Sequence, residues 1–227
     1  MEGTQKASLN QMDLGYLGYL FQRIGYILNG RILKKWGALT TRKSLWNVEF
    51  SSGQWDFLDH TSEDPIYYFL DKYSNKGSIL DLGCGSGNTG NEIDISAYCS
   101  YTGVDLSEVA IQKALTRSIN NHRQEKNDYF CDDILSFVPR STYNIILFRE
   151  SIHYFSKSQL SRVLAIYNGY LKESGVFIVR MANPNKYDWI VRLIEKEHAI
   201  LERSSPHCPE LILVFKLGFK LLTQRGD

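Results

Sequence analysis

Short apolar runs alternate with amphipathic segments over most of the chain. The runs that predict buried strands are Gly77–Leu82, Tyr101–Asp105, Asp128–Asp132, Tyr143–Phe148 and Gly175–Met181. The segments between them have apolar residues at helical spacing and predict helices from Asn88, over Ser107–Asn120 and over Lys157–Leu171. Alternation of this kind predicts an α/β fold, in which helices cover both faces of a mostly parallel sheet.

The two ends of the chain extend this pattern. Near the C-terminus, Tyr187–Glu195 predicts a helix, and His198–Arg203 and Glu210–Leu217 predict two closing strands. Near the N-terminus, an apolar stripe at helical spacing consists of Leu14, Leu17, Phe21, Ile24, Leu28 and Ile32. We therefore divide the chain into an N-terminal helical cap or lid segment, residues 1–60, and an α/β domain, residues 61–227.

The N-terminal segment also carries basic residues without neighbouring acids: Arg23, Arg31, Lys34 and Lys35. We interpret it as a cap packed on the main domain, in preference to an amphipathic helix that lies on an anionic membrane surface. The aromatic residues that follow it, Trp46, Phe50, Trp55 and Phe57, either anchor the cap or form a lid over a binding site.

Composition narrows the setting of the protein. The 26 basic residues are balanced by 25 acidic ones, so no charge excess indicates a nucleic-acid partner. The four cysteines, Cys84, Cys99, Cys131 and Cys208, have neither CxxC nor zinc-site spacing and fit a reducing compartment. The polar N-terminus differs from a secretory signal, and no run of about twenty apolar residues is found. We expect a cytoplasmic location.

The segment Ser78–Gly90 holds the strongest functional signal. It predicts a buried strand, a turn with glycines at every second position (Gly83, Gly85 and Gly87), and then a helix. Glycines let a ligand approach the backbone, and the N-terminus of a helix directs free N–H groups at that ligand.

Two kinds of ligand compete for this turn. Gly85–Gly90 fits the GxGxxG pattern of dinucleotide sites, as in NAD-dependent oxidoreductases. Asp81 argues against that interpretation, because its carboxylate at the strand end would repel a pyrophosphate by several kcal/mol at about 4 Å. A ligand that carries an ammonium group, such as the methionine end of S-adenosylmethionine, would instead be attracted.

Motifs further along the chain support the second ligand. Asp81–Gly87 resembles the first motif of the class I S-adenosylmethionine-dependent methyltransferases. The segments that resemble their second to fifth strands follow in order: Ser100–Asp105, Tyr129–Ile134, Tyr143–Glu150 and Gly175–Arg180. The resemblance covers roughly residues 76–217. It implies a Rossmann-like, seven-stranded, mostly parallel sheet whose last strand is antiparallel.

The resemblance also implies roles in cofactor binding. Asp81 would hold the methionine ammonium, Asp105 the ribose hydroxyls, and Leu106 would lie against the adenine. Asp133 would accept a hydrogen bond from the adenine amine, with the Ile134 N–H donating to the ring, although Asp132 is placed equally well. The full set expected around the cofactor is Trp46, Asp81, Gly83, Gly85, Gly87, Asp105, Leu106, Asp132, Asp133, Ile134 and Arg149.

The acceptor side follows the fourth strand. His153 would take the proton of the acceptor, and Glu150 would orient His153 or bind a cationic acceptor. Arg149 stands where similar enzymes often have Asn. Glu150 with Asn183 is a poor set of metal ligands, so we expect no metal.

We therefore expect methyl transfer to an oxygen or nitrogen of a small molecule or sugar. The alternatives are an NAD-dependent oxidoreductase and a non-catalytic S-adenosylmethionine-binding or scaffold protein.

Overall fold

One mixed sheet forms the middle layer of the protein. In this computed structural model, which describes residues 30, 32–59 and 61–218, the strands are β1 (Ser78–Leu82), β2 (Ser100–Asp105), β3 (Asn127–Cys131), β4 (Tyr143–Arg149), β5 (Leu171–Met181), β6 (Ala199–Arg203) and β7 (Leu211–Lys216). Their order across the sheet is β3-β2-β1-β4-β5-β7-β6. The first five strands pair in parallel, and β7 runs antiparallel to both β5 and β6. The predicted Rossmann-like sheet is confirmed.

The helices are α1 (Leu39–Ser51), α2 (Ile66–Ser74), α3 (Asn88–Glu92), α4 (Glu108–Asn120), α5 (Lys157–Asn168) and α6 (Asp188–Glu197). Short 3₁₀ turns lie at Asp56–Asp59, Ile152–Tyr154 and Pro184–Tyr187. Caps fix where the two longest helices of the domain begin. Ser107 accepts from the Ala110 N–H at the start of α4, and Ser156 forms a capping box with Gln159 at the start of α5.

Two hydrophobic cores lie on opposite faces of the sheet, because neighbouring residues of a strand point in opposite directions. On one face Leu80 and Phe177 belong to a core that includes residues of α5 and α6. On the other face Ile79, Tyr101 and Ile178 belong to a core that includes residues of α2 and α4. Both faces of the sheet are therefore covered, as the alternating pattern predicts.

The fifth strand differs from its prediction. Helix α5 ends at Asn168 and β5 already begins at Leu171, whereas the pattern predicts a helix to Leu171 and a strand from Gly175. Leu171 pairs with Tyr143, and the register shifts before Ile145 pairs with Val176. After Leu171, the next three residues of β5, Lys172 to Ser174, are exposed and polar, so they lack the apolar signal of a buried strand.

The described part of the N-terminal segment packs against α4. Asn47 of α1 accepts hydrogen bonds from the Ser107 hydroxyl, at 2.7 Å, and from the Val109 N–H, at 3.4 Å. Lys43 forms an ion pair of 2.5 Å with Glu108. The stripe residues Leu14, Leu17, Phe21, Ile24 and Leu28, with Arg23 and Arg31, lie outside the described residues. Among the described helices, none is both long and apolar enough to cross a bilayer.

Candidate active site

A cavity of about 470 Å³ lies at the carboxyl ends of the central parallel strands, where ligands bind in open α/β sheets. All predicted site residues except Gly87 line it: Trp46, Asp81, Gly83, Gly85, Asp105, Leu106, Asp132, Asp133, Ile134, Arg149, Glu150 and His153. The fold thus gathers residues from β1, β2, β4, α1 and the segment after β3 into one site.

The glycine turn is held against the end of β2. The N–H groups of Gly83 and Cys84 both donate to the Val104 carbonyl, at 2.8 and 3.0 Å. Gly83 has a φ of +89°, and a Cβ there would lie 2.4 Å from the Cβ of Ser151. The position therefore requires glycine for both its backbone angle and its space.

Gly87 differs from the rest of the predicted set, because it does not line the cavity and a Cβ on it would point into the interior. A Cβ at Gly87 would lie 2.7 Å from the Cβ of Ala114 and 3.0 Å from the Tyr129 ring. Gly87 precedes α3 and allows that helix to pack closely on α4. These contacts favour a packing role, which the spacing of the motif does not distinguish from ligand contact, and the predicted cofactor contact of Gly87 stays a prediction.

Asp81 is the penultimate residue of β1, and one oxygen of its buried carboxylate is already hydrogen-bonded. Its side chain is 1% exposed, and its Oδ2 accepts a 2.6 Å hydrogen bond from the Tyr101 hydroxyl. Its Oδ1 is buried and forms no hydrogen bond within the described chain, although the Thr89 hydroxyl and the Arg149 charge both act to lower the pKa of the carboxyl. Burial raises the pKa of Asp81 to about 6. A cationic ligand group in the cavity would satisfy the free oxygen and stabilise the charged form.

Asp105 ends β2 and faces the same cavity. Its Oδ2 accepts from the Gly85 N–H and its Oδ1 from the Ser107 N–H, both at 2.9 Å. Burial raises the pKa of Asp105. Two backbone bonds orient the carboxylate and leave acceptor capacity on both oxygens, which suits a pair of hydroxyl groups.

The acids after β3 differ in their surroundings. Asp133 forms a 3.0 Å ion pair with Arg42 of α1 and accepts a 3.1 Å hydrogen bond from the Leu135 N–H. Asp132 is exposed, and its Oδ1 accepts a 2.7 Å hydrogen bond from the Asp133 N–H. Both carboxylates line the cavity, but Asp133 is already bound to the N-terminal segment.

His153 lies among aromatic rings. Its ring stacks on Tyr187 with the centroids 4.4 Å apart and contacts Tyr154 at the same distance. Its Nδ1 is buried without a hydrogen-bond partner among the described residues. Burial, followed by the charges of Lys186 and Lys35, lowers the pKa of His153 to about 4. The imidazole is therefore neutral at pH 7 and can accept a proton.

Among the described residues, no hydrogen bond links Glu150 to His153. Its Oε1 accepts from Arg180, at 2.6 Å, and from the Ala182 N–H, at 2.5 Å. The residue has a φ of +58°, which is unusual for any residue other than glycine and is often found at functional sites. Within the described ranges, no group of three or more His, Cys, Asp or Glu side chains could hold a metal ion.

The aromatic residues of the N-terminal segment cover the cavity. Trp46 lies edge-on to Tyr154, with ring centroids 5.1 Å apart, and contacts Trp55 at 6.0 Å. The ammonium of Lys34 lies 3.9 Å from the Trp46 ring centroid. Phe50 packs beside the glycine turn, since a Cβ on Gly85 would lie 3.4 Å from its ring. These contacts make α1 part of the cavity wall.

The comparison with protein families agrees with this geometry. Residues 55–210 match the family model described as "Methyltransferase domain", which is more than half of the chain. The chain belongs to the methyltransferase domain family. Its sheet is that of the class I S-adenosylmethionine-dependent methyltransferases, as the sequence motifs predict.

Solved structures share the fold of this methyltransferase. The N-methyltransferase NodS from Bradyrhizobium japonicum WM9, in complex with S-adenosyl-L-homocysteine, superposes with a TM-score of 0.61 at 17% identity, covering 77% of this chain and 97% of that one. The DhpI complex with S-adenosylhomocysteine has a TM-score of 0.64 at 12% identity, covering 80% and 98%. The glycopeptide N-methyltransferase MtfA with sinefungin has a TM-score of 0.58 at 11% identity, covering 69% and 87%. No curated protein matches the sequence.

The methyltransferase cavity also contains a charged network that the sequence motifs do not reveal. Asp64 accepts from Arg149, at 2.8 Å, and from Arg180, at 3.0 Å, and it lies just before α2. Arg149 also donates to Thr61, at 2.9 Å. Asp64 therefore ties the segment before the glycine motif to the ends of β4 and β5. The sequence indicates this network only by placing an arginine at the carboxyl end of each of two apolar runs, Arg149 in β4 and Arg180 in β5.

Proposed function

We propose that this protein transfers a methyl group from S-adenosylmethionine to an oxygen or nitrogen atom of a small molecule or sugar. The observation that carries the proposal is the buried, unpartnered Oδ1 of Asp81 beside the glycine turn. An unpartnered buried oxygen is costly, and an ammonium group from a ligand would remove that cost. A pyrophosphate at the same place would add to it, which argues against the NAD-dependent oxidoreductase.

The residues around the cavity fit the rest of this cofactor. Asp105 would accept hydrogen bonds from the ribose hydroxyls, because both of its oxygens keep acceptor capacity. Leu106 and Ile134 supply an apolar surface for the adenine, and Asp132 would accept from its amine. We favour Asp132 over Asp133 because Asp133 is already paired with Arg42. When bound, S-adenosylmethionine supplies a methyl group on a positively charged sulfur, which is a good leaving group.

Trp46 and Arg149 would support this site from two sides. Trp46 belongs to the aromatic cover of the cavity, which excludes water and positions ligands. Arg149 donates to Thr61 and Asp64 and so holds the far wall in place. We propose that residues 1–60 act as the cap or lid segment of the enzyme, and residues 61–227 as its catalytic domain.

On the acceptor side we propose that neutral His153 accepts the proton of the attacking group. Glu150 would bind a polar group of the acceptor, because its carboxylate lines the cavity and is oriented by the ion pair with Arg180, and its side chain is 34% exposed. This residue set argues for catalysis over a scaffold role. The free thiols of all four cysteines support a cytoplasmic location for this enzyme.

Calorimetric titration of the full chain with S-adenosylhomocysteine and with NAD tests the cofactor. We expect S-adenosylhomocysteine to bind and NAD to give no heat. Asp105→Ala should weaken the binding of S-adenosylhomocysteine by about 1–3 kcal/mol, because it removes an ionised acceptor from two hydroxyls. Asp71→Ala, on the exposed side of α2, serves as the matched control and should bind normally. Binding of NAD without a response to S-adenosylhomocysteine would overturn the proposal.

A further inference from the structure

Aromatic rings form a continuous wall along one side of the cavity. Trp55 contacts Trp46 with centroids 6.0 Å apart, and Trp46 contacts Tyr154 at 5.1 Å. Tyr154 contacts His153, and His153 stacks on Tyr187, each at 4.4 Å. All five residues line the cavity. Such a wall favours a flat, apolar ligand, because ring faces and edges offer both area and complementary quadrupoles.

The end of this wall near His153 is electropositive. Lys186 lines the cavity, with its ammonium 5.0 Å from the Tyr187 ring centroid, and the charges of Lys186 and Lys35 both act on His153. Within the described part of the chain, neither lysine forms an ion pair, whereas Glu150 is paired with Arg180. Two acids that act on the adjacent Tyr154, Glu49 and Glu150, are each paired with a basic side chain.

This charge pattern selects among acceptors. The ammonium charges of Lys186 and Lys35 oppose a protonated amine beside His153, and they stabilise an oxygen anion there. A phenolic hydroxyl loses its proton far more readily than a sugar or alkyl hydroxyl, so the phenol gains most from the two lysines as an anion. An acidic hydroxyl on a flat ring fits both the wall and the field.

We infer that the acceptor is a small aromatic compound with an acidic phenolic hydroxyl, methylated at that oxygen. The inference rests on the proposed function and specifies its acceptor. The proton leaves the hydroxyl to water or to His153, and the phenolate oxygen then forms the new O–C bond. The S–C bond of the donor breaks at the same time, and the sulfur keeps the electron pair as a neutral thioether.

The test measures binding of three single-ring probes to the full chain saturated with S-adenosylhomocysteine: 4-nitrophenol, benzyl alcohol and benzylamine. We expect 4-nitrophenol to bind at least tenfold more tightly than the other two. Its visible absorbance should show more of the phenolate form when bound than when free at the same pH. Lys186→Met should lower the affinity for 4-nitrophenol about tenfold and leave the affinity for S-adenosylhomocysteine unchanged. Lys196→Met, an exposed lysine of α6 outside the cavity, is the matched control.

Two outcomes would overturn the inference. One is benzylamine or benzyl alcohol binding as tightly as 4-nitrophenol. The other is affinity for 4-nitrophenol that is absent, or that is unchanged in Lys186→Met. Because S-adenosylhomocysteine is titrated on the same samples, its failure to bind would identify a failure of the proposed function itself. Binding of S-adenosylhomocysteine without binding of 4-nitrophenol would refute the acceptor alone.

Discussion

The hydroxyl of Tyr101 donates a 2.6 Å hydrogen bond to Oδ2 of Asp81, between two neighbouring strands of the sheet. Both side chains are buried, so one oxygen of the carboxylate is fixed by the protein and the other is left for a ligand. This arrangement controls the charge of Asp81. Burial raises its pKa, and the Tyr101 hydrogen bond opposes that rise by favouring the carboxylate.

The first prediction is that affinity for S-adenosylhomocysteine falls as the pH is lowered through about 6, the pKa of Asp81 in the free protein. Protonation removes the negative charge that would pair with the ligand's ammonium. Calorimetric titration between pH 5 and pH 8 measures the effect. At pH 6 binding should also release protons, because the bound ammonium favours the carboxylate.

Tyr101→Phe provides a sharper form of this test. Loss of the hydroxyl should raise the pKa of Asp81 further and move the decline in affinity to higher pH. Tyr68→Phe, an exposed tyrosine of α2, is the control. Affinity that stays constant from pH 5 to pH 8 in all three proteins would contradict a role for the Asp81 charge.

The second prediction concerns stability. Asp81→Asn should raise the free energy of unfolding of the unliganded protein by about 1–3 kcal/mol at pH 7.5, while it abolishes cofactor binding. The folded-state pKa of about 6 lies above the unfolded value, so ionisation of Asp81 destabilises the fold. The advantage of Asn is therefore complete above pH 6 and disappears as the pH falls towards about 4. Urea unfolding at pH 7.5 and pH 4.5 measures it, and equal differences at the two pH values would refute it.

The sequence predicts those parts of the site that a local pattern marks. Asp81 and Asp105 each lie at the carboxyl end of an apolar strand, and the parallel sheet brings these strand ends to one edge. Asp64 and Arg180 form an ion pair although 116 positions separate them in the sequence. No local sequence pattern predicts an ion pair between residues so far apart. Their contact depends on how β5 lies beside β4 and on how the segment before α2 folds back.

Close packing is the second feature of the site that the sequence pattern does not predict. Gly85 and Gly87 occupy equivalent places in the alternating glycine motif, yet Gly85 lines the cavity and a Cβ on Gly87 would point at Ala114. The difference arises from the helix that crosses behind the turn. Similarly, adjacent Asp132 and Asp133 become distinct only when Arg42 of α1 pairs with one of them.

The third prediction separates these two acids. If Asp132 accepts from the adenine amine, Asp132→Ala should lose the preference for S-adenosylhomocysteine over S-inosylhomocysteine, which has a carbonyl in place of that amine. Asp133→Ala should keep the preference, because its carboxylate is bound to Arg42. Competition titration of the two ligands gives the ratio. Loss of the preference in Asp133→Ala alone would assign the amine to Asp133.

The fourth prediction concerns His153 as a base. A weak base contributes most when the acceptor is least acidic, so the loss on His153→Phe should grow with the pKa of the phenol. We expect methylation of unsubstituted phenol to fall about 10²-fold and that of 4-nitrophenol less than tenfold. The wild-type rate should show no histidine ionisation between pH 6 and pH 8, since the pKa of His153 is about 4. Equal losses with both phenols would assign His153 to positioning.

The last prediction contrasts the two glycines. Both have positive φ, +55° at Gly85 and +75° at Gly87, so alanine introduces a similar backbone strain of about 1 kcal/mol at each. At Gly87 the added Cβ would also lie 2.7 Å from the Cβ of Ala114, in the interior. Overpacking of this kind costs about 1–3 kcal/mol more. Gly87→Ala should therefore lower stability more, and the fraction that folds should bind S-adenosylhomocysteine normally.

At Gly85 the added Cβ would lie 3.4 Å from Phe50, on the side of the cavity. Gly85→Ala should therefore fold almost as well as the wild type and bind S-adenosylhomocysteine at least tenfold more weakly, because the methyl group takes ligand space. Urea unfolding and calorimetric titration on both variants measure the two effects separately. A Gly85→Ala protein with unchanged affinity, beside a stable Gly87→Ala protein that has lost binding, would exchange the roles assigned to the two positions.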